Sequence, residues 1–530
     1  MVSLTTSDLR SYLESNFDYQ IVTLIDIDQL IQRPQKTLYE IFKQCHKPVF
    51  ENQERLVMYS GHPVTIEILE HIQKAAALLD ISNFFILICA KDTNKEDFEA
   101  VRKSYSTDDN IFSFLQVEFT DATKKSATNP TLFLSDSFCF NPWAHLEISS
   151  NGEFKPCCVY KEPIKDSSGR AYNINVDQLR NVYQSDYMNN LRKQFLAGEK
   201  PKGCSNCWFK EQHNGKSNRH WATTLLGLNA RLLDIEKNSV ENLISLDIKL
   251  GNLCNFKCRI CSPGSSSKIA AEQAKYFNLP INLKALNQQG QWAENLEIWN
   301  SLKSVGHQLV NIDFYGGEPF LIKQHETFLN YLIENNYASN IRLHYNSNGS
   351  IYPEHLFDKW CHFEKVDIAF SIDNIGDRFE LERGGSWQEV ESNLDNFIKT
   401  KLPNMVLSIF ATVSIQNIYY LEQLIDWVET KQFNMLTFQP LESPRFLNIT
   451  AMNKELADLV IDRLYQIDQQ KLSKYNLGSF VDLIKNSENL PNSIAQLAEY
   501  MLKLDKIRNQ NFGQTHPEIA HIIYKGNNNG

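Results

Sequence analysis

Several features are scarce in these 530 residues. No apolar stretch is long enough to span a bilayer, which takes about 20 such residues in a row. Residues 1–16 have neither a basic start nor an apolar core, so no secretion signal is expected. Basic residues are in deficit: 53 Lys and Arg stand against 63 Asp and Glu, a formal charge of −10. A general nucleic-acid binder needs a basic face, and that class is set aside. There is no internal repeat, and low complexity is confined to Asn527-Asn528-Asn529. The expectation is a cytoplasmic chain with neither a membrane nor a nucleic-acid partner.

The length implies three or so domains, and 42% apolar residues are ample for a core. The eleven cysteines are Cys45, Cys89, Cys139, Cys157, Cys158, Cys204, Cys207, Cys254, Cys258, Cys261 and Cys361. Clustered cysteines without a secretion signal read as metal or redox sites rather than disulfides. Three of them, Cys254, Cys258 and Cys261, are spaced C-x3-C-x2-C. Residues 244–250 alternate apolar and polar, a strand pattern, and Gly251-Asn252 ends it. The trio therefore sits on a loop at a strand end. Thiolates select zinc, copper(I) or iron–sulfur clusters. A closed zinc site wants four ligands, and no fourth Cys or His follows in this loop. Three buried thiols or a zinc knuckle are the plainer alternatives.

A second set lies upstream. Asn151-Gly152 is a strong hairpin signal, and such a hairpin brings Cys139 towards Cys157. Cys204-Ser205-Asn206-Cys207 adds a C-x2-C pair. Four thiolates saturate either a cluster or a zinc ion. Cys158 is left as a spare thiol, because adjacent strand residues point to opposite faces. The segment 208–221, with Lys210, Lys216, Arg219 and His220, reads as a solvated connector. Nearer the start, strands at 55–59 and 84–89 flank a helical pattern at 65–79. That is a small α/β domain of unassigned role, with Cys45 and Cys89 as ordinary buried thiols.

From about residue 243, strands alternate with helical stretches, which implies a parallel sheet. Strands are expected at 244–250, 309–314, 341–345, 366–372, 406–413 and 435–439. In barrels of parallel strands, chemistry gathers at the C-terminal strand ends. There the sequence places Gly316-Gly317-Glu318-Pro319, Asn346-Ser347-Asn348-Gly349, Ser371-Ile372-Asp373 with Arg383, and Val413. Glycines admit a close ligand, and a carboxylate accepts from an ammonium group. Helices are expected at 453–464 and 493–504, and the polar, turn-rich stretch 509–530 is expected to fray.

The cysteine trio with this motif set resembles the radical S-adenosylmethionine (SAM) enzymes, and C-x12-G-x4-C resembles the SPASM and twitch auxiliary-cluster domains. The resemblance covers about residues 135–445. It implies a partial (β/α)6 TIM-type radical SAM barrel at 240–460. Ahead of the barrel it places a cysteine-rich, twitch-like β-hairpin domain at 130–225; the small α/β domain at 1–125 lies outside the resemblance. A helical segment at 461–530 follows. Such auxiliary elements more often follow the barrel. The resemblance implies a [4Fe–4S] cluster on Cys254, Cys258 and Cys261 with one iron open to SAM. An auxiliary cluster would sit on Cys139, Cys157, Cys204 and Cys207. Gly316, Gly317, Glu318 and Pro319 would hold the SAM amino group, with Asn348 shaping the turn. Ser371, Asp373 and Arg383 would meet the ribose or carboxylate; Ile260 and Val413 would pack on adenine. Ile260 departs from the usual aromatic residue, and Ser347 stands where the family carries Thr. A peptide or protein substrate is expected, modified by epimerisation, cross-linking or oxidation, with flavodoxin or ferredoxin as reductant. Cys361 is a weak hydrogen-donor candidate, placed near the wrong end of a strand and expected to be buried. A small-molecule or sugar substrate, and a non-catalytic zinc-binding protein, are the competing readings.

Overall fold

The computed structural model describes the backbone of residues 3–4, 20–26, 54–59, 85–90 and 112–119. Backbone and side chains are described for 137–212, 217–220, 222, 239–277, 282–283, 286, 290–487 and 492–525. Two compact units emerge. The first holds residues 1–147, 154–172 and 177–245; the second holds 148–153, 173–176 and 246–530.

In the first unit, five strands form one sheet: β1 (Ser3–Leu4), β2 (Gln20–Asp26), β3 (Glu54–Tyr59), β4 (Phe85–Ala90) and β5 (Phe112–Phe119). Their order is β1-β5-β4-β3-β2, and every pairing is parallel. Parallel neighbours require crossover connections of a dozen or more residues, as expected for an α/β unit. The helical pattern at 65–79, Cys45 and the side chain of Cys89 lie outside the described residues. Further along, β6 (His145–Ile148) and β7 (Phe154–Lys155) are hydrogen-bonded neighbours. The intervening turn closes through the Gly152 amide, which donates to the Ser149 carbonyl at 2.8 Å. A short helix, Ser205–Gln212, starts inside the C-x2-C pair.

The second unit is built on six strands: β8 (Ser245–Lys249), β9 (Asn311–Tyr315), β10 (Arg342–Ser347), β11 (Lys365–Ser371), β12 (Met405–Val413) and β13 (Met435–Pro440). They run in the order β13-β12-β11-β10-β9-β8. Pairing is parallel from β9 to β13. Each expected strand is present to within two residues or so. Helices follow in the connections, among them Ser267–Tyr276, His325–Glu334, Gly376–Arg383, Trp387–Lys399 and Leu421–Glu429. This is the strand–helix alternation of a partial (β/α)6 barrel.

Strand periodicity sorts the two faces of the sheet. Ile312, Phe314, Leu343, Tyr345, Ile368, Phe370, Leu407 and Ile409 are fully buried against the helices. The opposite face carries polar side chains in register, with His344 opposite both Asp313 and Asp367. Beyond β13 the chain adds helices that seal a second apolar cluster, including Val460, Leu497, Met501, Phe512, Ile519 and Ile523. The end of the chain departs from expectation here. Residues Pro517–Lys525 form a helix whose Ile519, Ala520, Ile522 and Ile523 are buried. The polar, turn-rich composition of 509–530 predicts fraying, yet the i, i+3, i+4 spacing of these four apolar side chains makes one buried stripe.

Candidate active site

The cysteine loop leaves β8 and is held from three sides. The Lys257 amide donates to the Arg383 carbonyl at 3.2 Å, and the Arg259 amide to the Glu382 carbonyl at 2.7 Å. Arg259 is wholly buried. Its guanidinium donates to the Leu381 carbonyl (3.2 Å), Asp505 Oδ1 (2.5 Å) and Gln510 Oε1 (3.0 Å). The Tyr500 hydroxyl donates to the Arg259 carbonyl at 2.8 Å. On the third side, Asn255 Nδ2 donates to Ser350 Oγ at 2.8 Å.

So braced, the three sulfurs share one electrostatic environment. The Cys258 thiol is lowered to about 7, chiefly by a hydrogen bond from Cys261, with Arg383 assisting. That same bond, with burial, pushes Cys261 up. Cys254 is pushed up to about 11 by burial.

The turn after β9 closes on this loop. The Glu318 amide donates to the Leu253 carbonyl at 2.9 Å. Gly317 has φ +55°, and a Cβ there would stand 2.1 Å from the Leu253 oxygen. Any side chain would force the two loops apart. Glu318 itself is fully buried. Its Oε1 accepts from Ser347 Oγ at 2.9 Å, and its Oε2 from the Asn348 amide at 2.7 Å. Burial nevertheless raises its carboxyl to about 7. Asn348 links onward, donating from Nδ2 to Asn255 Oδ1 at 2.9 Å.

After β11, Asp373 and Arg383 face each other, with Arg383 Nη1 2.5 Å from Asp373 Oδ2. The second carboxylate oxygen accepts from the Thr412 amide at 2.8 Å. Burial works against the Arg383 charge, but Cys258 and Asp373 outweigh it and hold the guanidinium firmly protonated. Its Nε is buried with no hydrogen-bond partner. A buried, unmade donor is costly. Together with a fully buried carboxylate bonded only to uncharged donors, it suits a zwitterion bearing an ammonium and a carboxylate.

The other expected residues separate. Ser371 is half-buried on the polar face of the sheet, in register with Phe410. Ile260 packs against the apolar cluster of the C-terminal helices, and Val413 is part of that cluster. Val413 belongs to the helix-facing set, because it lies an even number of residues from buried Leu407 and Ile409. Cys361 is exposed instead of buried; it follows the helix Phe357–Trp360, and its thiol donates to the Asp358 carbonyl at 3.3 Å. It lies four positions before β11, at the N-terminal end of that strand.

In the first unit, Cys139, Cys157, Cys204 and Cys207 come together. Cys139 and Cys157 each feel the charges of Cys204 and Cys207, and burial is the largest influence raising all four thiols. Cys204 is pushed up to about 12. Backbone amides of Asn141, Val159 and Arg219 hydrogen-bond to Cys139, Cys157 and Cys207 respectively. Gly203 lets the C-x2-C turn close, since a Cβ there would stand 2.1 Å from the Tyr160 ring. The described residues 217–220 are not a solvated connector. Arg219 is buried, donates to the Phe138 carbonyl at 3.0 Å and pairs with Glu211 at 2.7 Å. The Ser217 hydroxyl bonds to Cys207. Lys216 and Trp221 lie outside the described residues.

Four sulfurs about one zinc would each stand about 2.3 Å from the ion; a cube of iron and sulfide spreads its thiolates wider. Among the described residues, no group of three or more His, Cys, Asp or Glu side chains is arranged to hold a single metal ion. Sequence reasoning missed Asn255, Arg259, Asp505, Gln510 and the Arg219–Glu211 pair. Arg259 and Asp505 are 246 positions apart, and no local pattern links them.

Residues 248–428 match the radical SAM superfamily, and residues 139–208 match the SPASM iron–sulfur cluster-binding domain. Comparison with curated proteins finds no match. Among solved structures, anSMEcpe with bound AdoMet and a Cp18Cys peptide is 19% identical, with TM-score 0.31, over 44% of this chain and 61% of that one. Streptococcus suis SuiB bound to S-adenosylmethionine is 12% identical, with TM-score 0.29, over 64% of this chain and 70% of that one. The chain spans 61% and 66% of the length of the first two solved relatives.

Proposed function

Because this chain is a radical SAM protein with an auxiliary iron–sulfur cluster-binding domain on its N-terminal side, we propose that it is an enzyme that modifies a peptide or protein by hydrogen abstraction. A [4Fe–4S] cluster on Cys254, Cys258 and Cys261 supplies, when bound, the electron that cleaves SAM to methionine and a 5′-deoxyadenosyl radical. Glu318 accepts the SAM ammonium group, and the orphaned Nε of Arg383 meets its carboxylate. Asp373 orients Arg383, and Asn348 fixes the turn beside Cys254. The polar face of the sheet, with Ser371 and Thr412 at its upper edge, receives ribose and substrate. Cys139, Cys157, Cys204 and Cys207 hold the auxiliary cluster. Residues 1–125 serve as a separate α/β domain, and 461–530 complete the wall of the barrel.

The observation that carries this reading is the convergence of three sulfurs, a buried carboxylate and a half-satisfied buried guanidinium at the C-terminal ends of β8, β9 and β11. A peptide substrate is favoured over a small molecule by the auxiliary cluster domain. The decisive experiment is anaerobic reconstitution with iron and sulfide, reduction with dithionite in the presence of SAM, and measurement of 5′-deoxyadenosine. The expected outcome is its formation; zinc without iron or sulfide, and no deoxyadenosine, would sink the proposal.

A further inference from the structure

The outer side of the cysteine loop carries positive charge that the rest of the unit does not explain. Cys261 is half-buried, while Ser262 and Ser265 beside it are exposed. The helix Ser267–Tyr276 begins there, and the Cys254 amide donates to Ser267 Oγ at 3.4 Å. Lys268 on this helix is exposed and donates to the Asn255 carbonyl at 2.7 Å. Lys275 lies seven residues on, two turns along the same face. Lys503 sits 4.2 Å from the centre of the Phe277 ring, at the end of that helix. Lys506 is one turn further along the helix Ser493–Arg508 and is exposed.

Among the described residues, none of Lys268, Lys275, Lys503 and Lys506 has a salt-bridge partner. Elsewhere in this unit, Lys431, Lys471, Lys474 and Lys525 are each paired with a carboxylate, while Lys303, Lys401 and Lys485 stand singly and bond to uncharged oxygens; among the described residues, only around the cysteine loop do four such lysines gather. The acids closest to the patch are turned inward: Glu272 pairs with Arg508 at 2.6 Å, and Asp505 with Arg259 at 2.5 Å. Glu499, exposed one turn before Lys503, is the nearest outward acid on that helix. Helix dipoles account for Lys275 and Lys506, which lie in last turns, where cations are favoured. They do not account for Lys268, which stands in the first turn, the unfavourable end, and is held there by its bond to the Asn255 carbonyl. Exposed Tyr276 supplies an aromatic anchor beside the lysines, and tyrosine is enriched at interfaces.

From this charge we infer that the face formed by Lys268, Lys275, Lys503 and Lys506 is the docking surface for a small one-electron carrier protein with an acidic face. The inference rests on the proposed SAM chemistry, which needs an electron from outside. A chain of net charge −10 repels an acidic carrier at long range. A local basic patch over the loop overcomes that repulsion at short range and brings the carrier to the cluster side. Steering of this kind raises association rates by 10- to 1,000-fold and weakens as salt is added.

The test compares two reductants on the same protein, reduced flavodoxin and dithionite, with 5′-deoxyadenosine as the readout. In K275E/K503E, the flavodoxin-supported rate is expected to fall about tenfold at low ionic strength and to lose its salt dependence. The dithionite-supported rate is expected to match wild type. An unchanged flavodoxin rate overturns the surface. An equal loss under both reductants assigns the lysines to folding and overturns it as well. Absence of deoxyadenosine from wild type under dithionite defeats the underlying function instead, and the surface with it.

Discussion

Glu318 shows how one residue can be set by its surroundings. Its carboxyl is raised to about 7 by burial, despite three hydrogen-bond donors. A cationic ligand binds only the ionised form. SAM binding is therefore expected to weaken as pH falls through 7, by up to tenfold per unit. Calorimetric titration from pH 8 to pH 6 reads this directly, and E318Q should bind weakly with no slope. Cys258 offers a second test at this scale. C258A should abolish reductive SAM cleavage while leaving the iron bound through Cys139, Cys157, Cys204 and Cys207. Persistent deoxyadenosine in that variant would move the cluster off these three sulfurs.

Elements are fixed by close approaches between loops that are distant in sequence. The turn after β9 touches the cysteine loop through Gly317, where a methyl group meets the Leu253 oxygen at 2.1 Å. Gly376 has a similar φ of +58° but open space around it. G376A should cost only the backbone term, about 1 kcal/mol. G317A should cost more and lower SAM affinity by at least tenfold, read by the same titration. The helix Ser493–Arg508 braces the loop from behind through Asp505 and Tyr500. R259Q leaves the partly buried Asp505 without its cation, and breaking such a pair costs about 3 kcal/mol. Chemical denaturation should show that loss, and the cluster absorbance should decay faster in air.

At the scale of the whole molecule, the last helix is part of the core of the second unit. Deleting residues 511–530 would expose the apolar cluster now covered by Ile519, Ile522 and Ile523. At about 2 kcal/mol per side chain, the loss is comparable to the entire stability of a domain. The truncated protein is expected to be insoluble or to unfold at much lower temperature, measured by calorimetry against the full chain. The sequence alone located the six strands of the second unit and, through their alternation with helical stretches, their parallel pairing; the order of the strands in the sheet came from the structure. It also identified the cysteine trio and the glycine–glutamate turn, each a local spacing, and the two halves of the cysteine quartet, Cys139 with Cys157 and Cys204 with Cys207. Only the tertiary structure decided what surrounds them. Arg259 finds its carboxylate on a helix near the far end of the chain. Val413 and Ile260 turn towards the C-terminal core, and Arg219 folds over the quartet. Local patterns encode which residues share a face; burial and pairing across hundreds of positions depend on how helices close around the sheet, and no short window of sequence contains that.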